Sequence, residues 1–570
     1  MNKKDVIKIL EKIAIYMEIK GENPFKTSAY RKAAQALETD ERSLDEIEKP
    51  EELKGIGKGT AEVIKELKEK GSSDLLNTLM EEVPNGLIPL LKIQGLGGKK
   101  IGKLYQELQV VDIETLKQAC ENKQVQTLAG FAAKTEEKIL QAIEEVSTRP
   151  ERLALPFVLP IAEQILNHLD TFDDVERFSQ AGSLRRMRED VKDLDFIIAT
   201  NEPTKVGEQL VQLPNVTKVI AQGETKVSIE MTGEYPISVD FRLVTNEEFP
   251  TTLHHFTGSK DHNVALRQLA KSRNEKISEY GVENVETGEV TTFATENDFF
   301  AHFDLPFIPP QARENQGEIE HFIKHPQFLQ LQDIKADLHM HTTASDGAHT
   351  LVEMIEAARK KGYQYMAITD HSKFLRVANG LSVERLLKQH EEIRMLNEKY
   401  DDIEIFTGIE MDILPDGTLD YDDDILKDID FVIASIHSSF QQTEDVILER
   451  LKTALYNPHV DLIAHPTGRV LGRRDGYRVD VDQLIELAKE TGTALELNAN
   501  PQRLDLAAHW VKKAHQLEVP IAINTDAHRI DMLEHMKYGV GIAVKGLANP
   551  DLIVNTWTLD QFKTFIRRNK

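Results

Sequence analysis

The chain has 570 residues, is 40% hydrophobic and 29% charged, and carries a formal net charge of −26. That length calls for about three or four domains, each able to bury its own core, and that charge excludes a broadly basic protein that coats nucleic acid by bulk electrostatics. The single cysteine, Cys120, excludes an internal disulfide and a cysteine-rich zinc site.

The N-terminal segment MNKKDVIKILEKIAIYMEIK mixes charge with apolar residues at helical spacing. It predicts an amphipathic helix and not a signal peptide. No apolar run approaches the roughly 20 residues that cross a bilayer. A cytoplasmic protein without membrane attachment is expected. The formal charge divides as −2 over residues 1–150, −13 over 151–330 and −11 over 331–570.

The near-neutral first region is predicted all-helical and carries an internal repeat. Its copies are Leu53-Lys-Gly55-Ile56-Gly57, Ile93-Gln-Gly95-Leu96-Gly97 and Leu128-Ala-Gly130-Phe131-Ala132. Each is followed by an apolar residue nine positions after its first glycine, at Ile64, Leu104 and Ile139. Closely spaced glycines ahead of a helix present backbone N–H groups to a phosphate. GIGKGT lacks the spacing of a P-loop and follows no strand, so a nucleotide-cofactor site is a poor fit. The three copies resemble helix-hairpin-helix motifs, which grip duplex DNA by its backbone. That resemblance implies DNA contact at Gly55, Gly57, Gly95, Gly97 and Gly130. The third copy departs from it at Ala132.

From about residue 150 strand-like runs appear, at Phe196-Ile197-Ile198, Lys226–Glu230 and Ile237–Val244, with helices between. Ala181-Gly182-Ser183 precedes Asp193-Leu194-Asp195-Phe196. A strand alternates its side chains, so Asp193 and Asp195 share one face. Asp240, in Ile237-Ser238-Val239-Asp240-Phe241-Arg242, adds a third carboxylate. Converging carboxylates call for cations between them, and two divalent ions suit in-line phosphoryl transfer. Gly182-Ser183 and Arg185-Arg186 offer N–H, hydroxyl and guanidinium groups to nucleotide phosphates.

This pattern resembles the nucleotidyltransferase superfamily. Phe256-Thr257-Gly258-Ser259, with Asn263 and Arg267, narrows it to family X DNA polymerases, the polymerase beta group, over residues 1 to about 317. The resemblance implies that Asp193, Asp195 and Asp240 bind two magnesium ions, with Asp240 activating the primer 3′-hydroxyl. It implies triphosphate contacts at Gly182, Ser183, Arg186 and Gly258, and contacts to the nascent base pair at Asn263 and Arg267. His255, beside Phe256, stands where many members carry a tyrosine next to the sugar. Val63 stands where relatives with 5′-deoxyribose-phosphate lyase activity carry a Schiff-base lysine. A valine cannot form the imine, so weak or no lyase activity is expected.

Phe307-Ile308-Pro309-Pro310 stops regular structure, and a polar connector is expected to about residue 332. Short apolar strands then alternate with helices: Tyr365–Thr369, Phe431–Ile436, Asp461–Ala464, Ala494–Leu497 and Ile521–Asn524. That alternation predicts a parallel β/α architecture, barrel-like in form. Twelve of the 19 histidines lie in residues 331–570. Many sit with carboxylates where strands run out, the face on which barrel active sites are built. Imidazole and carboxylate donors without thiolate suit zinc, manganese or iron. These motifs closely resemble the PHP (polymerase and histidinol phosphatase) domain. The resemblance implies a trinuclear metal cluster on His339, His341, Asp346, His371, Glu410, His437, His465, Asp526 and His528, with no ligand position substituted. Arg469, Arg473 and Arg474, after His465, are candidates to steer a phosphate backbone.

The expected fold is multidomain, with a helical helix-hairpin-helix N-terminal region, an α+β nucleotidyltransferase palm and thumb, and a C-terminal β/α barrel-like PHP domain. Its expected divisions are a lyase-like helical domain at 1–85, fingers at 86–150, palm at 151–250, thumb at 251–317, linker at 318–332 and PHP domain at 333–570. The combination resembles bacterial family X polymerases with a PHP domain. It implies a monomeric repair enzyme that extends primers across short gaps with dNTPs and Mg2+. Its PHP domain, with Mn2+ or Zn2+, would be a 3′-to-5′ exonuclease, and cleavage at abasic sites is a further implication. The alternatives are a polymerase whose PHP domain is structural or regulatory, and a small-molecule phosphatase whose N-terminal half does not synthesise DNA.

Overall fold

The computed structural model describes residues 3–39, 44, 47, 49–93, 96–148 and 150–567. The chain forms two compact units, Met1–Glu151 and Arg152–Lys570. Among the described residues, no helix is long and apolar enough to cross a membrane.

The first unit is helical, with Lys3–Lys20, Pro24–Thr39, Lys58–Lys70, Gly98–Leu108 and Ala133–Thr148 as its longer helices. All three repeats close the same backbone hydrogen bond, from one residue to the third before it. The N–H of Ile56 reaches the Leu53 carbonyl at 3.0 Å, that of Leu96 reaches Ile93 at 3.1 Å, and that of Phe131 reaches Leu128 at 3.0 Å. Gly55 (φ +112°) and Gly130 (φ +93°) take the left-handed backbone such a turn needs, whereas Gly57 and Gly97 are extended and cap the next helix. Gly95 lies outside the described residues. Ile64, Leu104 and Ile139 are buried in one shared core. The apolar residue nine positions on is what ties each hairpin to that core.

The second unit holds a five-stranded sheet in the order Arg177–Gln180, Asp193–Ala199, Pro236–Val244, Lys226–Thr232, Val216–Gln222. Asp193–Ala199 and Pro236–Val244 run parallel, and Asp195 lies opposite Asp240. Burial alternates along Pro236–Val244, so Val239 and Phe241 enter the core while Asp240 faces the other side. Val216–Gln222 is an edge strand with exposed Val219 and Ile220. It buries no face, so it lacks the alternation by which the other strands are read.

Seven parallel strands follow in chain order: Ala336–Asp337, Tyr365–Ile368, Glu404–Asp412, Phe431–Ser435, Leu462–Ile463, Ala494–Asn498 and Ile521–Asn524. Their residues are almost all buried, as expected of strands covered on both faces. A bridge between Met340 and Ala527 brings the last strand back to the first, and the His341 N–H donates to the Ala527 carbonyl at 2.9 Å. The result is a nearly closed parallel barrel. Leu338, Ala367, Phe431, Leu462 and Ala522 form an inner cluster with Phe562 and Ile566 of the helix Leu559–Ile566.

The expected polar connector is instead structured. Residues Glu318–Lys324 form a helix, with Phe322 in the core and the buried Glu318 bound to Nδ1 of His262 at 2.8 Å. The run reads as a linker in sequence because most of its polar residues are exposed, but Glu318, Phe322 and Leu329 anchor it in the fold.

Candidate active sites

A cleft of about 480 Å3 gathers the residues singled out above for nucleotide contact except Arg185: Gly182, Ser183, Arg186, His255, Phe256, Gly258, Asn263 and Arg267, with Asp193 and Asp195. Arg152, Lys192 and Lys260 also line it. No motif marked those three, because basic residues beside a turn are common. Gly182 has φ +60°, and a Cβ there would collide with the Asp195 carboxylate. Position 182 therefore requires glycine twice over, for backbone and for space.

Asp193 and Asp195 project from one face of their strand, with Asp240 beside Asp195 on the next. Burial, then Asp193 and Asp240, push the Asp195 carboxyl up to about 7. Three carboxylates this close are a poor arrangement without cations, and that fits divalent ions between them. Asp240 is held by Lys226 Nζ at 2.8 Å and Ser228 Oγ at 2.6 Å, a partnership no motif announced.

Arg186 donates to the Thr257 carbonyl and, from Nε, to Glu314 at 3.2 Å. Arg185 points elsewhere. It binds Thr257 Oγ1 at 2.8 Å and Glu296 at 2.6 Å, so the expectation that both arginines reach phosphates is corrected for Arg185. Asn263 donates to the His255 carbonyl at 2.8 Å. Burial and Arg267 push the pKa of His255 down.

In the barrel, all nine candidate metal ligands converge where the strands run out. Three close groups form: His341, Asp346, His371 and His528; His339, His341 and Asp526; His371, Glu410 and His437. His465 Nε2 joins Glu410 at 3.0 Å. Among the described residues, the close groups of ligands fall in this domain. His339 Nε2, both ring nitrogens of His341 and Glu410 Oε2 are buried without an aligned hydrogen bond, although Glu410 Oε2 lies 2.8 Å from His371 Nδ1 and His341 Nε2 lies 3.2 Å from Asp526. Orphaned donors and acceptors of this kind are costly unless something else occupies them. With nitrogen and oxygen donors only, they fit zinc, manganese or iron. His465 (φ +29°) and Asp526 (φ +52°) are in the left-handed region, a conformation uncommon for non-glycine residues.

The charge balance points the same way. Burial disfavours a charged His339, but Glu496, Asp526 and Glu410 outweigh it and raise its pKa well above the ordinary value. Burial opposes the charged Glu410 too, yet His437, His371 and His339 hold its carboxyl far below the ordinary range. His341, buried beside His528 and His371, is pushed down to about 4. Without metals the site is thus a mesh of imidazolium and carboxylate, whose protons metal ions would displace.

The sequence missed the residues that orient this set. Glu496 accepts from His339 Nδ1 at 2.7 Å, from the His465 N–H at 2.7 Å and from Asn524 at 3.0 Å. Asp412 lies 3.2 Å from His437 Nδ1. Arg503 lies 3.5 Å from Asp526. The one available signal was a glutamate inside the otherwise apolar Ala494–Leu497. In the arginine loop after His465, Arg469 and Arg474 are engaged within the fold, whereas Arg473 makes only an exposed surface pair. Arg469 makes two bonds to Glu189, at 2.8 and 3.1 Å, Arg473 pairs with Glu234 at 3.3 Å, and Arg474 donates to the Gly468 carbonyl at 2.8 Å.

Comparison with known proteins agrees with this architecture. Residues 1–73 match a helix-hairpin-helix domain, residues 252–314 the DNA polymerase beta thumb, and residues 337–500 the PHP domain. A sheet of this kind with a thumb, joined to a histidine-lined barrel, defines a polymerase-type nucleotidyltransferase fused to a PHP domain. The chain belongs to the bacterial family X DNA polymerases with a C-terminal PHP domain. It is 60% identical over 569 residues, all of both chains, to the DNA polymerase/3′-5′ exonuclease PolX of Bacillus subtilis (strain 168). Over 41% of its length it resembles probable phosphatases. That of Thermoanaerobacter sp. (strain X514) is 31% identical and 95% covered, and that of Caldanaerobacter subterraneus is 29% identical and 91% covered.

Proposed function

We propose that this protein fills short gaps in DNA with dNTPs and trims 3′ ends with its PHP domain. In the first reaction the primer 3′-oxygen bonds to the α-phosphorus while the bond to pyrophosphate breaks. Gly182, Ser183, Arg186 and Gly258 bind the triphosphate, Asn263 and Arg267 meet the nascent base pair, and His255 and Phe256 border the sugar. Asp193, Asp195 and Asp240 would hold two Mg2+, and the nine barrel residues would hold up to three Mn2+ or Zn2+. Such ions neutralise charge building on phosphorus and, in the barrel, make water acidic enough to attack it. The glycine hairpins hold duplex through backbone N–H groups, which position DNA without reading its sequence. The proposal extends to a monomer working in the cytoplasm.

The observation that supports this reading is the coexistence of a cleft lined by Gly182, Ser183, Arg186, Asn263 and Arg267 beside Asp193 and Asp195 with a barrel that gathers nine imidazole and carboxylate side chains. A labelled primer in a gapped duplex tests it. The parent should extend with dNTPs and degrade without them. Asp193→Ala should lose extension and keep degradation, and His339→Ala and His341→Ala should do the reverse. Degradation that persists in both histidine variants rules out the PHP assignment. No dNTP incorporation with either Mg2+ or Mn2+ rules out the polymerase.

A further inference from the structure

The helix Met536–Lys545 follows the last barrel strand, Ile521–Asn524, yet its last residue contacts Arg186, which lines the nucleotide cleft. Lys545 Nζ lies 2.8 Å from Oε1 of Glu314. The same oxygen accepts from Nε of Arg186 at 3.2 Å. Lys545 also donates to the Arg186 backbone carbonyl at 3.1 Å. Arg186, Glu314 and Lys545 side chains are each only 14–15% exposed. One turn earlier on the helix, Gly541 packs against Met187; a Cβ there would come within 3.1 Å of the Met187 side chain.

A carboxylate shared by two cations attracts each less than one facing a single cation. Lys545 therefore weakens the hold of Glu314 on Arg186, and fixes the backbone of the Arg186 turn. The Arg186 guanidinium, whose Nη1 donates to the Thr257 carbonyl beside Gly258, is then held less tightly at Nε and yields more readily to an incoming anion. We infer that Lys545, on the helix after the last barrel strand, is a positioning residue for triphosphate binding in the polymerase cleft, acting through Glu314 on Arg186. This rests on the reading of Arg186 as a triphosphate contact. Lys545 does not itself line the nucleotide cleft, so its effect runs through Glu314 and Arg186 alone.

Steady-state gap filling by the full-length chain tests it, reading KM for dNTP separately from kcat, with PHP nuclease activity of each preparation as a check on folding. Arg186→Ala should raise KM for dNTP about tenfold or more; no change there refutes the Arg186 reading itself. Given that rise, Lys545→Met should raise KM about fivefold with kcat nearly unchanged, and Lys545→Arg should stay near the parent. Adding Glu314→Gln to Lys545→Met should return KM most of the way, because the carboxylate that traps Arg186 is gone. A loss of mere packing is not repaired by a second substitution. The inference is overturned if Lys545→Met keeps the parental KM, or if the double variant is no better than Lys545→Met alone. If Lys545→Met loses the nuclease as well, Lys545→Gln is judged by the same two criteria.

Discussion

Glu496 accepts a hydrogen bond from Nδ1 of His339 at 2.7 Å, which leaves Nε2 of that ring facing Glu410 at 3.4 Å and Asp526 at 3.6 Å. A carboxylate behind a ligand imidazole fixes the tautomer and ring direction and makes the ligand more basic. Replacing Glu496 by Gln keeps the shape and removes the charge. Metal affinity of the barrel should fall about 10- to 100-fold, measured as bound manganese or zinc per chain after dialysis. Primer extension by the same preparation should be unchanged.

Gly182→Ala places a methyl group against the Asp195 carboxylate in a backbone conformation that alanine resists. Displacing a reacting group by about 1 Å costs on the order of 100-fold. Primer extension should fall by at least that factor, while 3′-end degradation stays near the parent.

Glu296 is buried between Arg313, at 2.6 Å, and Arg185, also at 2.6 Å. Burial opposes its charge, but Arg313 and Arg185 outweigh it and hold its carboxyl at about 2. Burial also pushes the Arg313 guanidinium down to about 10, so the pair adds little net stability at neutral pH. Its pH dependence is nonetheless one-sided. A carboxyl depressed on folding supports the fold above its unfolded value near 4.5, and that support is lost as pH falls from there toward 2. The melting temperature should therefore drop over this acid range, and less steeply in Glu296→Gln. At pH 7 the variant leaves Arg313 buried without its partner and should lose about 3–5 kcal/mol of stability in denaturant titration.

Lyase chemistry should be absent or weak. Val63 is buried, Lys65 is paired with Glu51 at 2.9 Å, and Lys68 donates to the Ile47 carbonyl at 3.0 Å. Borohydride treatment with a 5′-deoxyribose-phosphate end should trap no covalent adduct on either lysine. An adduct on Lys65 or Lys68 would show that the helix offers a nucleophile outside the family position.

Much of both sites was legible because motif residues sit at strand ends and turns, where local spacing controls direction. Asp193 and Asp195 follow from strand alternation alone, and the ligand series from histidines placed just past apolar runs. What was hidden depends on contacts between residues distant in sequence. Glu496 serves a histidine 157 positions away, and Lys226 meets Asp240 only because their strands pair in that register. The arginines after His465 show the converse. Their charge was plain in the sequence, but acidic residues of the palm had already claimed Arg469 and Arg473. Val216–Gln222 escaped because an exposed edge strand has no buried face to imprint a period on its sequence.

The Arg469–Glu189 pair and the close approach of Gly472 to Phe157 and Ala154 bear on how this protein can be divided. The apolar core runs unbroken from Val158 and Phe241 of the palm to Ile409 and Leu497 of the barrel. Cutting the chain near residue 330 would bare that apolar seam and strand charges on both cut faces. The separate pieces would then tend to associate with themselves or with each other. Dissection by point substitution in the intact chain is therefore the cleaner way to assign each chemistry to its site.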